Sequence, residues 1–351
     1  MSVLVAASVQ IGSAFPQRPD EALYHCVSAA LRDAGLRKPD VDLSVVASRD
    51  LYDACSMSNG QTLPAAAGWL TGSVTRLETD ISAAIVLADA VLSAGDAEIA
   101  VVSGVHLPQA HSAARSFDEQ VSNLAAEPIY ERAVGLSATS LLAMHAARLV
   151  TNGTTTQHEL AAIAARELGI DVEAVLSSAP VAWPLTDLML PAETTGAVAL
   201  VLATPERAQA MGMGRARIVA HGMAASGGLA DGEWLEAPHA ATERAARDAY
   251  RRAGIIEPAS EIDVAELTAA SPAMHEPLRR ALQLSDLADD RIGGSGGVRR
   301  SFGGVVNGAL RLLGAIESLE RDGGRRAVVH STDTLTGPLG ATTTVTVLER
   351  I

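Results

Sequence analysis

The spacing of apolar residues changes period several times along this chain, and the changes mark out an alternating α/β order. Residues 2–12 (SVLVAASVQIG) are apolar and partly β-branched, which predicts a first strand. Leu23, Val27 and Leu31 then recur every fourth residue behind Asp20, an acceptable helix N-cap, and Gly35 supplies the stop. A buried strand is predicted over 43–47, followed by a helix near 61–70 and a short strand near 73–78. Residues 82–94 are small and apolar nearly all round, as in a helix buried at the centre of a fold, and Gly95 closes it. Residues 98–103 predict another buried strand.

The second half repeats this grammar. A strand over 217–225 leads to a helix from about 239 to 253, closed by Gly254, and then to a strand over 262–267. A long helix over 303–321 precedes strands over 326–330 and 342–348. Letters recur as well. Ala34-Gly35-Leu36-Arg37-Lys38-Pro39 precedes Val41-Asp42, while Ala253-Gly254-Ile255-Ile256-Glu257-Pro258 precedes Ile262-Asp263. Ala100-Val101-Val102-Ser103 is matched by Ala327-Val328-Val329-His330-Ser331 at a similar separation. Two matches at nearly one offset predict an internal duplication, although any α/β chain can reuse such caps. The expected halves are 1–205 and 214–351. Within the first, 105–190 breaks the pattern with a helical stretch over 135–150, a turn over 151–156 and a helix over 157–168. An insertion of this kind is expected to lie over a ligand site.

Composition narrows the classes. Hydrophobic residues make up 48% of the 351 residues but aromatics only 3%, so the core is built from Ala, Val, Leu and Ile. A formal net charge of −14 argues against a nucleic-acid or anionic-membrane surface. Two cysteines, Cys26 and Cys55, support neither a disulfide framework nor a cysteine zinc site. The N-terminus has no basic leader and no run is long enough to cross a bilayer, so a cytoplasmic location is the expectation.

Several ordered segments then point to one family. Leu87-Ala88-Asp89-Ala90-Val91-Leu92-Ser93-Ala94-Gly95 before a strand ending at Gly104 is similar to the central helix and following strand of thiolases. Asn152-Gly153-Thr154-Thr155 with Leu160-Ala161 resembles a "GTT…LA" stretch of their insertion. Trp183-Pro184-Leu185 with Thr195-Gly196-Ala197-Val198-Ala199 resembles "PL…DGAxA", with Thr195 where aspartate is usual. Ser295-Gly296-Gly297, then Asn307-Gly308 opening a helix that reaches Glu317, resembles "SGG…GHPxGATG…E". The chain thus resembles the thiolase superfamily, in particular its sterol-carrier-protein-X or lipid-transfer-protein type. The resemblance implies duplicated βαβαβαββ halves in an α-β-α-β-α layering, with a helical insertion. It also implies a coenzyme A thioester as ligand with no resident cofactor, and a homo- or heterodimer with a thiolase-like subunit. A small OB-fold or zinc-ribbon partner is a further implication.

The chemistry that the resemblance implies is missing. A thiolase places a nucleophilic cysteine at the N-terminus of its central helix, where the dipole favours the thiolate. Counting back from Gly95, that position is Glu78, beside Thr79 and Asp80. Asp80 suits a helix N-cap, and a carboxylate there could act as a general base but is a poor acyl carrier. Phe302 occupies the slot of the "GHP" histidine and can neither donate nor accept a proton. His330 and Ser331 fall where the sterol-carrier type has a histidine-asparagine pair, and Ala265-Glu266-Leu267-Thr268 aligns with its "NEAF"-like segment. The catalytic candidates are therefore Glu78, Thr79, Asp80 and His330, with Phe302, Asn307, Ser331 and Glu266 as substrate-binding candidates. His330 could equally be a strand-end histidine. His106 and His111 lack partners for a metal, and the tyrosines (Tyr24, Tyr52, Tyr130, Tyr250) match no aldolase-type site. Gly293-Gly294-Ser295-Gly296-Gly297 fits a nucleophile elbow in letters but follows charged residues rather than a buried strand. The expectation is a divergent or non-catalytic subunit in acyl-CoA or acyl-carrier thioester metabolism. An active thioester enzyme with unusual residues (retro-aldolase, decarboxylase or acyltransferase) and an acyl-chain or lipid-binding module are the alternatives.

Overall fold

A computed structural model describes residues 1–12, 18–49, 63, 65–66, 73–107, 122–124, 126–225, 239–333 and 342–351. Its strands are β1 (Ser2–Gly12), β2 (Leu43–Ala47), β3 (Ser73–Leu77), β4 (Ile99–His106), β5 (Pro180–Ala182), β6 (Leu185–Thr186), β7 (Thr195–Ala203), β8 (Ala216–Ala225), β9 (Val264–Leu267), β10 (Arg326–Thr332) and β11 (Thr342–Arg350). Among the described residues, the helices of seven residues or more are α1 (Pro19–Asp33), α2 (Ile81–Ala94), α3 (Ala138–Thr151), α4 (Gln157–Leu168), α5 (Pro205–Met211), α6 (Ala240–Ala253), α7 (His275–Ala281) and α8 (Asn307–Asp322).

Hydrogen bonding runs through the strands in the order β3-β2-β4-β7-β1-β8-β11-β10-β9. The two halves of that order have the same pattern. In the first, β2 is parallel to β4, and β4-β7-β1 continue antiparallel; in the second, β9 is parallel to β10, and β10-β11-β8 continue antiparallel. The join is narrow, with β1 meeting β8 only over Ser2–Leu4 against Ala216–Ile218. The half-sheets therefore close around α2 and α8. Ile81, Ile85 and Leu92 of α2 and Leu312, Ile316 and Leu319 of α8 share one buried cluster with inward residues of both half-sheets. A second cluster packs α1 on the outer face of the first half, and a third packs α6 and the insertion on the outer face of the second. The result is the expected five layers, α-β-α-β-α.

The recurring letters have a shared structural job. Asp42 accepts from the backbone N–H groups of Glu98 and Ile99 at the start of β4; Asp263 accepts from those of Arg325 and Arg326 at the start of β10. Gly35 and Gly254 end α1 and α6 with φ of +67° and +68°, a conformation that glycine adopts without steric cost. Two backbone stops and two aspartate clamps thus stand at matching places in the two half-sheets.

Some boundaries differ from the periodicity. α1 starts at Pro19 with Arg18 as N-cap, and Asp20 instead sits in the first turn, paired with Arg18. The long helix begins at Asn307, because Gly304–Val306 form a tighter 3-10 turn before it. β7 is a fully buried strand that alternation cannot reveal, since both of its faces are apolar. The helix expected near 61–70 lies largely outside the described residues. The insertion is tied down by Glu167 of α4, which pairs with the buried Arg299 beyond β9. Among the described residues no helix is long and apolar enough to cross a membrane.

Candidate functional site

α2 and α8, the two central helices, begin next to each other, and Asp80 binds both starts. As N-cap of α2 it accepts from the Ser82 N–H at 2.9 Å through Oδ1. Its other oxygen accepts from the N–H of Gly308, the second residue of α8, at 3.1 Å. One carboxyl thus satisfies orphan donors of two helices and sits where both dipoles favour negative charge. Only glycine permits this approach at 308, since a β-carbon there would lie 2.3 Å from Asp80 Oδ1. Burial pushes the Asp80 carboxyl up to about 7, with the charge of Asp333 adding to it and the Ser82 and Gly308 N–H groups opposing.

Thr79, one residue earlier, donates to Asp333 at 3.1 Å, and Asp333 is in turn paired with Arg49. Both members of that ion pair are buried. Ser331 approaches the same point, its Oγ lying 2.9 Å from where a Gly308 β-carbon would be. Asn307 is fully buried and donates to Thr268 Oγ1 at 2.9 Å, and Thr268 donates to the His330 carbonyl at 3.1 Å. Thr79, Asp80, Asn307 and Ser331 are thereby gathered at the meeting of the two helix starts, while Glu78 is exposed beside them.

The remaining candidates lie elsewhere. His330 belongs to β10, where successive side chains face opposite ways, so its ring points away from Ser331 and toward α6. There its Nε2 meets Thr242 Oγ1 at 3.3 Å, and full burial pushes the imidazole down to about 3. Glu266 is sealed beneath α8, accepting from the Ser295 N–H and Oγ at 2.8 Å each and facing Arg311 at 3.4 Å. Burial raises its pKa, with Arg311 opposing. Ser295 is thus held by Glu266 and Arg311, an arrangement unlike a nucleophile elbow. Phe302 is buried and fixed by its backbone, donating to the Ala192 carbonyl at 2.7 Å and accepting from Thr194 N–H at 2.8 Å. Arg311 reinforces that loop through the Ser301 carbonyl.

Cys26 is buried on α1 with its thiol pushed up to about 11 by desolvation, which leaves it unreactive. Cys55 and His111 lie outside the described residues. His106 ends β4 with its ring against the backbone of Gly304, in the loop that leads to α8. Among the described residues no group of three or more His, Cys, Asp or Glu could hold a metal. Sequence reasoning missed Arg49, Thr268 and Asp333. Asp333 stands three residues past His330, but nothing in the letters shows that it meets Thr79 from 254 positions away.

No protein-family model and no curated protein sequence matches this chain. Solved structures do resemble it. The human mitochondrial 3-ketoacyl-CoA thiolase in complex with CoA superposes with a TM-score of 0.75 at 15% identity, covering 100% of this chain and 98% of that one. The Bacillus anthracis acetyl-CoA acetyltransferase gives a TM-score of 0.73 at 17% identity, with the same coverage. At such identities the likeness establishes the thiolase fold and leaves the chemistry to be argued from the residues.

Proposed function

We propose that this chain is a divergent, non-catalytic thiolase-fold subunit of acyl-CoA or acyl-carrier thioester metabolism that pairs with a second thiolase-fold subunit and shapes its cleft. The observation that carries the reading is the use to which the two central helix N-termini are put. Claisen chemistry needs that place for a thiolate and an activating histidine. Here both helix starts are taken up by the buried Asp80 carboxyl, and the slots of cysteine and histidine hold the exposed Glu78 and the backbone-pinned Phe302. The halves correspond to residues 1–205 and 214–351, with the insertion over the second half. A coenzyme A thioester is the ligand class, consistent with the neighbouring human thiolase having been solved with CoA.

The test is turnover of acetoacetyl-CoA and of a 3-hydroxyacyl-CoA by the purified chain, alone and with a copurifying thiolase-fold subunit. No turnover alone, and a change in the partner's rate or chain-length preference on mixing, is the expected result. Turnover by the isolated chain that is lost in Asp80→Asn or Glu78→Gln would overturn it. One observation favours a second reading, an active enzyme on thioesters: a carboxyl near pH 7 suits a general base. In that case the rate follows a single ionisation near pH 7 and disappears in Asp80→Asn.

A further inference from the structure

A second polar cluster lies on the far face of β10 from Asp80. His145 of α3, His239 at the N-cap of α6 and His330 of β10 are all buried, at 5%, 5% and 1% exposure. The rings of His145 and His239 stand edge to face with centroids 5.8 Å apart, and both other imidazoles are close enough to His239 to oppose its protonation. Among the described residues, His145 Nδ1, both nitrogens of His239 and His330 Nδ1 have no hydrogen-bond partner. Buried polar groups are almost always paired, so four such nitrogens in one place are a cost that packing alone does not explain. Three buried imidazoles, from α3, the start of α6 and β10, thus lie near one another.

The surroundings restrict what could meet them. Leu142 and Ala146 flank His145 on α3, and Leu267 and Val345 lie opposite His330 in the sheet, all within the largest apolar cluster on this face. Burial holds all three imidazoles neutral, their pKa values pushed down to about 4 for His145 and about 3 for His239 and His330. A neutral imidazole offers one donor and one acceptor, but it cannot offset the desolvation of an anion. An uncharged oxygen carried on an apolar chain fits both the nitrogens and the lining.

We propose that His145, His239 and His330 line a binding site for an acyl chain bearing a hydroxyl or keto oxygen, which they recognise through hydrogen bonds. The acyl identity rests on the thioester reading above. The oxygen requirement rests on the unpaired nitrogens. A site built to pair with an oxygen discriminates strongly against the chain that lacks it, because the buried nitrogens then stay unmet.

Isothermal titration of the full chain with octanoyl-CoA and its 3-, 5- and 7-hydroxy forms tests this. At least one hydroxylated form is expected to bind about ten- to a hundredfold more tightly than octanoyl-CoA. His239→Phe should abolish that preference, bringing the hydroxylated forms to the affinity of octanoyl-CoA for the same variant, and should raise the melting temperature by removing two unpaired nitrogens. His239→Asn should retain part of the preference, and His145→Phe provides the same comparison if His239→Phe does not fold. Equal binding of all four thioesters, or a folded His239→Phe that keeps the preference, overturns the site and leaves the thioester reading standing. Binding of none of them overturns the thioester reading and the site with it.

Discussion

Mild acid should unfold this protein, and the buried histidines set how steeply. His145, His221, His239, His275 and His330 all have imidazoles pushed down to about 3 or 4, with burial the largest cause in every case. An unfolded histidine titrates at about 6.5, so below that pH the unfolded chain binds protons that the folded chain refuses. Stability is therefore fully present above pH 6.5 and is lost as the pH falls toward the folded values. At pH 5, about 1.5 units below the unfolded pKa, each imidazole costs about 2 kcal/mol of stability. The five together remove about 10 kcal/mol. Asp80 acts the other way, since its folded pKa is raised to about 7. It binds a proton in the folded state between about 4 and 7, which returns about 3 kcal/mol at pH 5. The net loss of about 7 kcal/mol rivals the whole stability of a typical domain. Urea unfolding followed by circular dichroism at half-unit steps from pH 8 to 4.5 measures this directly. The expected curve is flat above pH 7 and falls by several kcal/mol per pH unit below 6. Removing one imidazole, as in His330→Phe, should shallow the slope by about one proton. A curve that changes by less than about 1 kcal/mol between pH 7.5 and 5 would refute the reasoning.

Other perturbations probe the central layer and the buried charges. Gly308→Ala places a methyl group 2.3 Å from Asp80 Oδ1, so it should cost about 1–3 kcal/mol in chemical denaturation by overpacking two helix starts. Arg311→Met leaves Glu266 buried without its cation and should cost about 3–5 kcal/mol, whereas the double variant Glu266→Leu with Arg311→Met should recover most of that loss. Cys26 should resist iodoacetamide at pH 8 in the folded protein and react on unfolding, which mass spectrometry of the labelled peptide would show.

Architecture was legible in the letters because it depends on short-range regularities. The all-round apolar stretch over 82–94 reads as a central helix, and the structure buries it between both half-sheets. The aspartates after each proline turn, Asp42 and Asp263, recur because each clamps the two N–H groups that open the next strand. Asp80 was legible as an N-cap for the same local reason. What it also does for Gly308 was not, since that bond spans 228 positions and exists only once two helix starts are brought side by side. Phe302 and Glu78 could be read as replacements, but not that one would be buried and the other exposed. His330 shows the division most plainly. Its letters place it in a line of site residues, yet one residue along a strand reverses the face, and its ring joins His145 and His239 instead of Ser331. The order of elements and the recurring turn-and-clamp letters could be read from the chain alone, because both are encoded in neighbours and periods. Which polar groups meet could be seen only in the folded molecule, because burial and pairing are properties of the packed layers rather than of any stretch of chain.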